Sequence, residues 1–354
     1  MATEGAAAPK KRRTSKKPLT FIDLFCGAGG FTQGLRDAGM CHLGGIDSDV
    51  RCCESYGANH GVTMCADVRA MHADDVRRLT GKHTVDVVVA SPPCQSVSAI
   101  GRTAQDTHAN DMLFMDAVRI ASELGATAVV IENVARLCHK MGPGDKTLAQ
   151  HALDALEAAG YYAEVRVLDA ADYGVPQSRQ RAIVVGLRRS AKTRSFQWPA
   201  KRGTPPRTFG EIALTDAAAG EASPKCEVFM TPQKVEYYIA RKKARPNFVR
   251  WTDPARPAYT LLANYHKGRG AMALVVRGHD GGIMRDVEDA AEVASMRMLT
   301  LPECCAIQTF PAHYKLCGPV GVQYVQVGNA FPCAMATAIA TSLMQAIGDV
   351  RAEA

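Results

Sequence analysis

The residue in this chain best suited to nucleophilic chemistry is a cysteine that follows two prolines at the end of an apolar run. Ser91-Pro92-Pro93-Cys94-Gln95-Ser96-Val97-Ser98 follows Val85–Ala90, which places the thiol at a loop mouth and not inside a hydrophobic run. The prolines stiffen the backbone ahead of it. A thiol in such a place is open to a substrate and to nearby cations, as an activated nucleophile must be. Glu132, in Glu132-Asn133-Val134, closes a second apolar run, Ala128–Ile131. A carboxyl there is costly to desolvate without a partner or a task, and a desolvated carboxyl suits proton donation near neutral pH. Arg179 and Arg181, in Gln177-Ser178-Arg179-Gln180-Arg181, precede a third run, Ala182–Gly186. Taken singly, each arginine reads equally well as half of a surface ion pair.

A glycine-rich turn supplies the other half of the chemistry. Phe25-Cys26-Gly27-Ala28-Gly29-Gly30 follows the first β-rich run and opens a helical stretch. Glycines there allow a tight turn and a close approach to a ligand. The G-x-G-G spacing differs from the dinucleotide G-x-G-x-x-G, so a nucleotide-like cofactor other than NAD fits better. Asp47 stands about 20 residues beyond the glycines, where a carboxylate can accept from ribose hydroxyls. Asp67, in Cys65-Ala66-Asp67-Val68, is placed to meet an adenine amino group. Either aspartate could instead cap a helix.

The elements that must position these residues alternate in type. Strands are expected over Thr20–Phe25, Leu43–Asp47, Val85–Ala90, Ala128–Glu132, Ala163–Leu168 and Ala182–Gly186. Helices are expected over Gly30–Ala38, Leu113–Leu124 and Leu148–Ala159. The alternation predicts an α/β fold, a doubly wound, mostly parallel sheet of Rossmann-like type, with ligands at the carboxyl ends of its strands. After Leu187 the pattern changes: residues 188–210 carry seven basic side chains and no acidic one. The expected organisation is a disordered basic arm over 1–18, a catalytic and cofactor-binding domain over 19–187, a smaller loop-rich target-recognition domain over 188–294, and a return to the first domain over 295–354.

The 354 residues, 47% hydrophobic and 22% charged, are ordinary for a globular protein. No apolar run approaches the roughly 20 residues that span a bilayer, and no secretory leader is evident. The twelve cysteines show no zinc-ligand spacing, so no metal is expected and a reducing, intracellular compartment is. Of the net charge of +7, the arm holds +5, from Lys10, Lys11, Arg12, Arg13, Lys16 and Lys17 against Glu4. Such an arm could touch phosphates, act as a nuclear-import signal in a eukaryotic or viral host, or be a solvated tail of a cytoplasmic protein.

Taken in order, FCGAGG, an Asp-terminated strand, ADV, PPCQ, ENV, QSRQR and VGNA (Val327-Gly328-Asn329-Ala330) closely resemble the cytosine-5 methyltransferase family, over residues 20–187 and about 295–345. Arg256-Pro257-Ala258-Tyr259-Thr260-Leu261-Leu262 is similar to the family's loop ending in Thr-Leu. Met298–Pro311 is similar to its penultimate motif, departing at Leu301-Pro302, where Pro-Arg is common, and at Cys305, where Arg is common. The resemblance implies S-adenosylmethionine as cofactor, double-stranded DNA as partner and a monomeric enzyme. Phe25, Gly27, Gly29, Gly30, Asp47, Asp67, Val68, Pro93, Leu113 and Asn329 would line the cofactor site. Cys94 would attack C6 of a cytosine flipped out of the duplex, Glu132 would serve N3 and the amine, Arg181 would hold O2, and Arg179 would support the thiolate. Gln95, Ser98, Asn133 and Thr260 would contact the substrate, and Ser98–Asn110, with Gly101 and Arg102, would close over the base. The VGNA motif would start the helix that returns to the first domain. Two alternatives stand beside this reading. One is the family's tRNA-methylating branch, whose Cys-Phe-Thr tripeptide this sequence lacks. The other is a catalytically silent DNA-binding relative.

Overall fold

The computed structural model describes residues 17–93, 112–189, 196–222, 231–244, 249–251, 253–267, 272–276 and 296–352. A seven-stranded sheet runs through the first half of the chain. Its strands are β1 (Thr20–Leu24), β2 (Cys41–Asp47), β3 (Thr63–Cys65), β4 (Val87–Ala90), β5 (Ala128–Val134), β6 (Tyr161–Asp169) and β7 (Gln180–Arg188), in the spatial order β3-β2-β1-β4-β5-β7-β6. All neighbours are parallel except those of β7, which runs antiparallel to both β5 and β6. The reason is local: ten residues join β6 to β7, too short a link for the crossover that a parallel pair requires.

Strand periodicity divides the core into two layers. Ile22, Leu24, Val88, Ala90, Val129, Ile131, Ala182 and Val184 face one side, and Phe21, Val87, Val89, Ala128, Val130, Ile183 and Val185 face the other, as alternate residues of a strand must. The first face is covered by α3 (Ala73–Thr80), α4 (Phe114–Leu124) and α5 (Leu148–Ala158). On the second face lie α1 (Gly30–Asp37) and a helix from the far end of the sequence, α10 (Cys333–Ala352), through Met335, Ala336, Ile339, Ala340, Leu343 and Ile347. The two helices pack so tightly that a Cβ on Gly34 would stand 2.2 Å from the Cys333 carbonyl. The remaining helix of this half, α2 (Val50–His60), is capped by Asp49, whose carboxylate accepts from the backbone of Arg51 and Cys52.

A second, smaller core gathers Phe209, Val235, Tyr238, Leu261, Tyr265, Leu299, Ile307, Tyr324 and Val327. Most of its residues come from α7 (Pro232–Ala244), β10 (Met296–Met298), the helices α8 (Leu301–Ile307) and α9 (Val320–Asn329), and the 3-10 turns Phe209–Glu211 and Tyr265–Lys267. The same part of the chain includes α6 (Asp216–Ala222) and a short sheet in which β10 pairs with β9 (Met272–Val276) and β9 with β8 (Val249–Trp251). The departure at Leu301-Pro302 is accommodated because Pro302 lies in the first turn of α8, where the Thr300–Glu303 capping box already satisfies the free N–H groups.

Two expectations are corrected. The VGNA motif ends α9 and does not start a helix: Pro332 keeps Phe331 out of the helical region and Ala330 turns extended, after which α10 begins. The stretch Val320–Gly348 is long and apolar enough to cross a membrane, where no such run was expected. It is broken between α9 and α10, and the buried face of α10 shows that its apolarity is that of a core helix.

Candidate active site

The order of the sheet reverses between β1 and β4, where ligands bind in open α/β sheets. Leu24 and Ala90 are partners across that pair. The glycine turn and Ser91-Pro92-Pro93 therefore leave the sheet side by side.

The turn after β1 is held in left-handed backbone conformations. Phe25 has φ 57°, Gly27 54° and Gly29 91°; the last two suit glycine, and Phe25 is strained. The Gly27 N–H donates to Asp47 Oδ2 at 2.8 Å and Asp49 N–H to Asp47 Oδ1 at 2.9 Å. Asp47 is thus not the cap of α2. Burial raises its carboxyl above the ordinary value against the pull of these hydrogen bonds. The three glycines do different work. A Cβ on Gly27 would meet open space, on Gly29 the rings of His60 and Tyr314, and on Gly30 the Phe331 carbonyl at 2.3 Å. Gly27 therefore faces the opening, and Gly30 lets the start of α10 approach.

Beneath the turn lies a polar network that sequence reasoning missed. The Arg36 guanidinium donates to His60 Nδ1 at 2.9 Å, His60 Nε2 lies 2.8 Å from the Tyr314 hydroxyl, and that hydroxyl donates to the Ala28 carbonyl. This assigns His60 as the neutral Nε2–H tautomer. Burial, then His42 and Arg36, lower its pKa to about 3. On the sheet side, Thr32 Oγ1 donates to fully buried Asp23 at 2.7 Å and contacts the Tyr56 hydroxyl, itself 2.6 Å from His42 Nε2. Burial raises the Asp23 carboxyl from 3.8 to about 7. The folded chain therefore holds a proton between those values that the unfolded chain releases, and the stabilisation present below pH 3.8 is lost as pH rises through about 7. Asp23→Asn should remove this slope. The melting temperature of the natural chain, measured relative to the variant, should fall steadily across that interval, and a constant difference would refute the assignment.

Asp67 caps the short 3-10 turn Val68–Ala70 and forms an exposed ion pair with Arg69, so at this position the capping alternative is what the fold displays. Buried Val68 packs behind it against the same core as Phe114. Leu113 is buried at the start of α4, Pro93 is exposed, and Asn329 is exposed at the end of α9.

At the carboxyl end of β5, Arg181 Nε donates to Glu132 Oε1 at 2.9 Å, with the side chains 12% and 11% exposed. Register brings them together: Val134 pairs with Arg181 and Glu132 with Ile183 across the antiparallel β5/β7 pair, so the two side chains share a face. Glu132 is therefore a paired acid and not a lone one. Its neighbour Asn133 donates through Nδ2 to the Pro92 carbonyl at 3.2 Å, tying the end of β5 to the proline turn, while its Oδ1 accepts from Val134 N–H.

Arg179, expected to support the thiolate of Cys94, which lies outside the described residues, holds main-chain carbonyls. It is buried, and its Nη1 donates to the Leu261 carbonyl at 2.8 Å and its Nη2 to those of Gly328 at 2.9 Å and Ala330 at 3.2 Å. Burial and then the like charge of Arg181 push its pKa well down. Gln177 and Gln308 complete the clasp. Gln177 Nε2 donates to Gln308 Oε1 at 3.1 Å, Gln177 Oε1 accepts from Leu261 N–H at 2.9 Å, and Gln308 Nε2 donates to the Val327 carbonyl at 2.8 Å. Thr260 joins it by donating to the Ser178 carbonyl at 2.7 Å. The clasp thus fixes the Thr260–Leu262 loop against the strand that carries Arg181. Gln177 and Gln308 were legible only as parts of quoted motifs. Cys94, Gln95, Ser98 and the Ser98–Asn110 loop, with Gly101 and Arg102, lie outside the described residues.

No group of three or more His, Cys, Asp or Glu side chains able to hold a metal occurs among the described residues. The profile of C-5 cytosine-specific DNA methylases matches residues 19–345. The chain is 32% identical over 345 residues to the Type II methyltransferase M1.HphI of Haemophilus parahaemolyticus, covering 92% of this chain and 87% of that one. It is 27% identical over 362 residues to the Type II methyltransferase M.XorII of Xanthomonas oryzae, covering 92% and 84%. Among solved structures, the Entamoeba histolytica methyltransferase EhMeth superposes with a TM-score of 0.70 at 16% identity, covering 95% of this chain and 99% of that one. The Dnmt2 methyltransferase of S. pombe superposes at 0.66 and 16% identity, covering 94% and 99%. With a profile match across nearly its whole length, joined to a doubly wound sheet whose switch point gathers the glycine turn, the proline turn and the Glu132–Arg181 pair, the chain belongs to the C-5 cytosine-specific DNA methylase family and is an enzyme that transfers a methyl group to cytosine C5 in DNA.

Proposed function

We propose that the methyl donor is S-adenosylmethionine, that the substrate is a cytosine flipped out of double-stranded DNA, and that Cys94 bonds to C6 of that base during transfer. The observation that carries the reading is the Glu132–Arg181 pair, held beside the turn that leads to Cys94 through the Asn133 contact to Pro92. Cytosine C5 is a poor nucleophile, so electrons must first enter the ring, and a thiolate adding at C6 supplies them. Glu132 serves N3 and the exocyclic amine. Arg181, oriented by Glu132, holds O2 where negative charge develops. Once C5 is methylated, loss of its proton and of the Cys94 sulfur restores the ring. Arg179, through its carbonyl clasp, positions the Thr260 loop and the end of α9, and Asn133 positions the proline turn.

The residues at the switch point fit the donor. Gly27 opens onto free space and Asp47 presents a half-buried carboxylate held by that same glycine; in this reading Phe25, Gly29, Gly30, Asp67, Val68, Pro93, Leu113 and Asn329 complete the donor's site. When bound there, the donor supplies an electrophilic methyl group on a sulfonium. Asp47 receives its ribose hydroxyls, and Asp67, from its capping position, its adenine.

In the same reading the basic segment 188–210 holds phosphates of the duplex, beside a smaller core that draws on residues from Phe209 to Val327. A monomer suffices for this arrangement. The named relatives are bacterial Type II methyltransferases, which favours an intracellular modification enzyme and gives nuclear import by the arm no support. Bisulfite sequencing of duplex DNA incubated with the protein and S-adenosylmethionine tests the proposal. Protected cytosines in one recurring sequence context are expected, and a pattern identical to that of untreated DNA would overturn it.

A further inference from the structure

Two thiols that this chemistry does not use stand beside Asp47. Cys53 lies in α2, Cys65 ends β3, and Cys65 is the register partner of Asp47 across the parallel β2/β3 pair. Cys53 Sγ approaches the Asp47 carbonyl at 3.4 Å and that of Met64 at 3.8 Å, while Cys65 Sγ approaches the Ser48 carbonyl at 3.7 Å. Met64, whose carbonyl Cys53 Sγ approaches, is the residue before Cys65, so the two cysteines are neighbours across α2 and β3. Both are free, Cys53 buried and Cys65 exposed. Two thiols from two elements therefore approach the adjoining carbonyls of Asp47 and Ser48, and one of them is open to solvent.

We propose that Cys53 and Cys65 are a reversible oxidation site, which a peroxide closes into a disulfide and which, once closed, weakens cofactor binding at Asp47. The second half rests on the cofactor reading above; the first does not. Exposed Cys65 reacts first, since burial, with the Cys65 thiol beside it, pushes the Cys53 thiol up to about 12. The Cys65 sulfur, its proton given to solvent, attacks hydrogen peroxide. The O–O bond breaks, Cys65 becomes a sulfenic acid, and the departing hydroxide takes up a proton to leave as water. The Cys53 sulfur then attacks the Cys65 sulfur. The S–S bond forms as the S–O bond breaks, and the Cys53 proton leaves with that hydroxide as a second water. Two thiols are oxidised by two electrons and one peroxide is reduced. A dithiol reverses the change by exchange.

The bond shortens the sulfur separation to about 2.05 Å, so α2 and β3 draw together and the carbonyls of Asp47 and Ser48 lose their thiol contacts. The carboxylate that Gly27 holds then moves with its backbone. Loss of one good hydrogen bond to the ligand corresponds to about a tenfold weaker affinity.

The test treats the whole chain with hydrogen peroxide, blocks the remaining thiols, and maps linked peptides by mass spectrometry. In parallel, calorimetry measures S-adenosylhomocysteine binding before oxidation, after it, and after dithiothreitol, in the natural chain, in Cys65→Ser and in Cys53→Ser. Binding, unlike turnover, is insensitive to oxidation that only blocks methyl transfer at Cys94. The expected result is a Cys53–Cys65 peptide and a roughly tenfold loss of affinity, reversed by dithiothreitol and absent from both variants. The proposal is overturned if the two cysteines remain separately alkylatable, or if Cys65→Ser loses the same affinity on oxidation. Should the untreated chain bind no S-adenosylhomocysteine, the cofactor reading fails on its own, and the peptide map still decides whether the pair closes.

Discussion

Replacing Arg181 by alanine is expected to lower kcat/KM for methyl transfer to duplex DNA by a factor on the order of 10²–10³, the cost of removing one fixed donor from a site of developing charge. The expectation follows from the pair itself. Arg181 and Glu132 are nearly enclosed and 2.9 Å apart, so the guanidinium is oriented before substrate arrives and little is spent on ordering it during reaction. Arg181→Lys should recover little of the loss, because an ammonium cannot reproduce the planar fork that meets a carboxylate and a carbonyl oxygen together. Steady-state kinetics beside thermal melting separate a chemical defect from a folding one. A variant that melts like the natural chain and retains its kcat/KM would remove Arg181 from the proposed chemistry.

The second large effect is one of stability. Arg297 and Glu303 are both 0% exposed and form a two-pronged ion pair, Nη1 to Oε2 and Nη2 to Oε1, each at 2.9 Å. Arg297 also donates to the carbonyls of Met298 and Leu214, while Glu303 accepts from the backbone N–H groups of Leu214 and Thr300. The pair thus binds β10, α8 and the chain before α6 into the smaller core. Glu303→Ala leaves a buried guanidinium without its counter-charge and should destabilise the protein by about 3–5 kcal/mol, whereas replacing both partners by apolar residues of similar volume should restore much of that. Urea unfolding of the single and double variants checks this. A single variant within about 0.5 kcal/mol of the natural chain, the range of an ordinary surface change, would refute it.

Strands β4, β5 and β7 were readable because each carries an apolar run bounded by polar residues, and because glycines and prolines mark where chains turn, whereas β3 has only three residues and β6 mixes polar with apolar. Val87–Ala90 and Ala128–Val134 needed no more than that. The antiparallel entry of β7 was not readable, since strand direction depends on how much chain joins β6 to β7 and not on the pattern within either. The helix boundary at Asn329 was misplaced for a related reason: Pro332, three residues on, decides it. At the site, Glu132 and Arg181 could be named from their positions at strand ends, yet their pairing comes from the β5/β7 register. Arg179 shows the limit most clearly. Its place beside Arg181 in one motif suggested a shared task, while its burial and its three carbonyl partners are properties of loops more than eighty residues away. Asp67 likewise could be read as ligand or cap, and only the backbone N–H of Arg69, donating to its carboxylate, shows the cap in use.

The central claim is a bond between the Cys94 sulfur and C6 of cytosine. A duplex carrying 5-fluorocytosine at the modified position tests it most directly, because fluorine in place of the C5 proton prevents release of the enzyme after methyl transfer. Incubated with this duplex and S-adenosylmethionine, the natural chain should give a complex that survives denaturation, with the attached peptide containing Cys94, and Cys94→Ser should give none. Methyl transfer by Cys94→Ser at the natural rate, or a trapped complex attached at any other residue, would contradict the account.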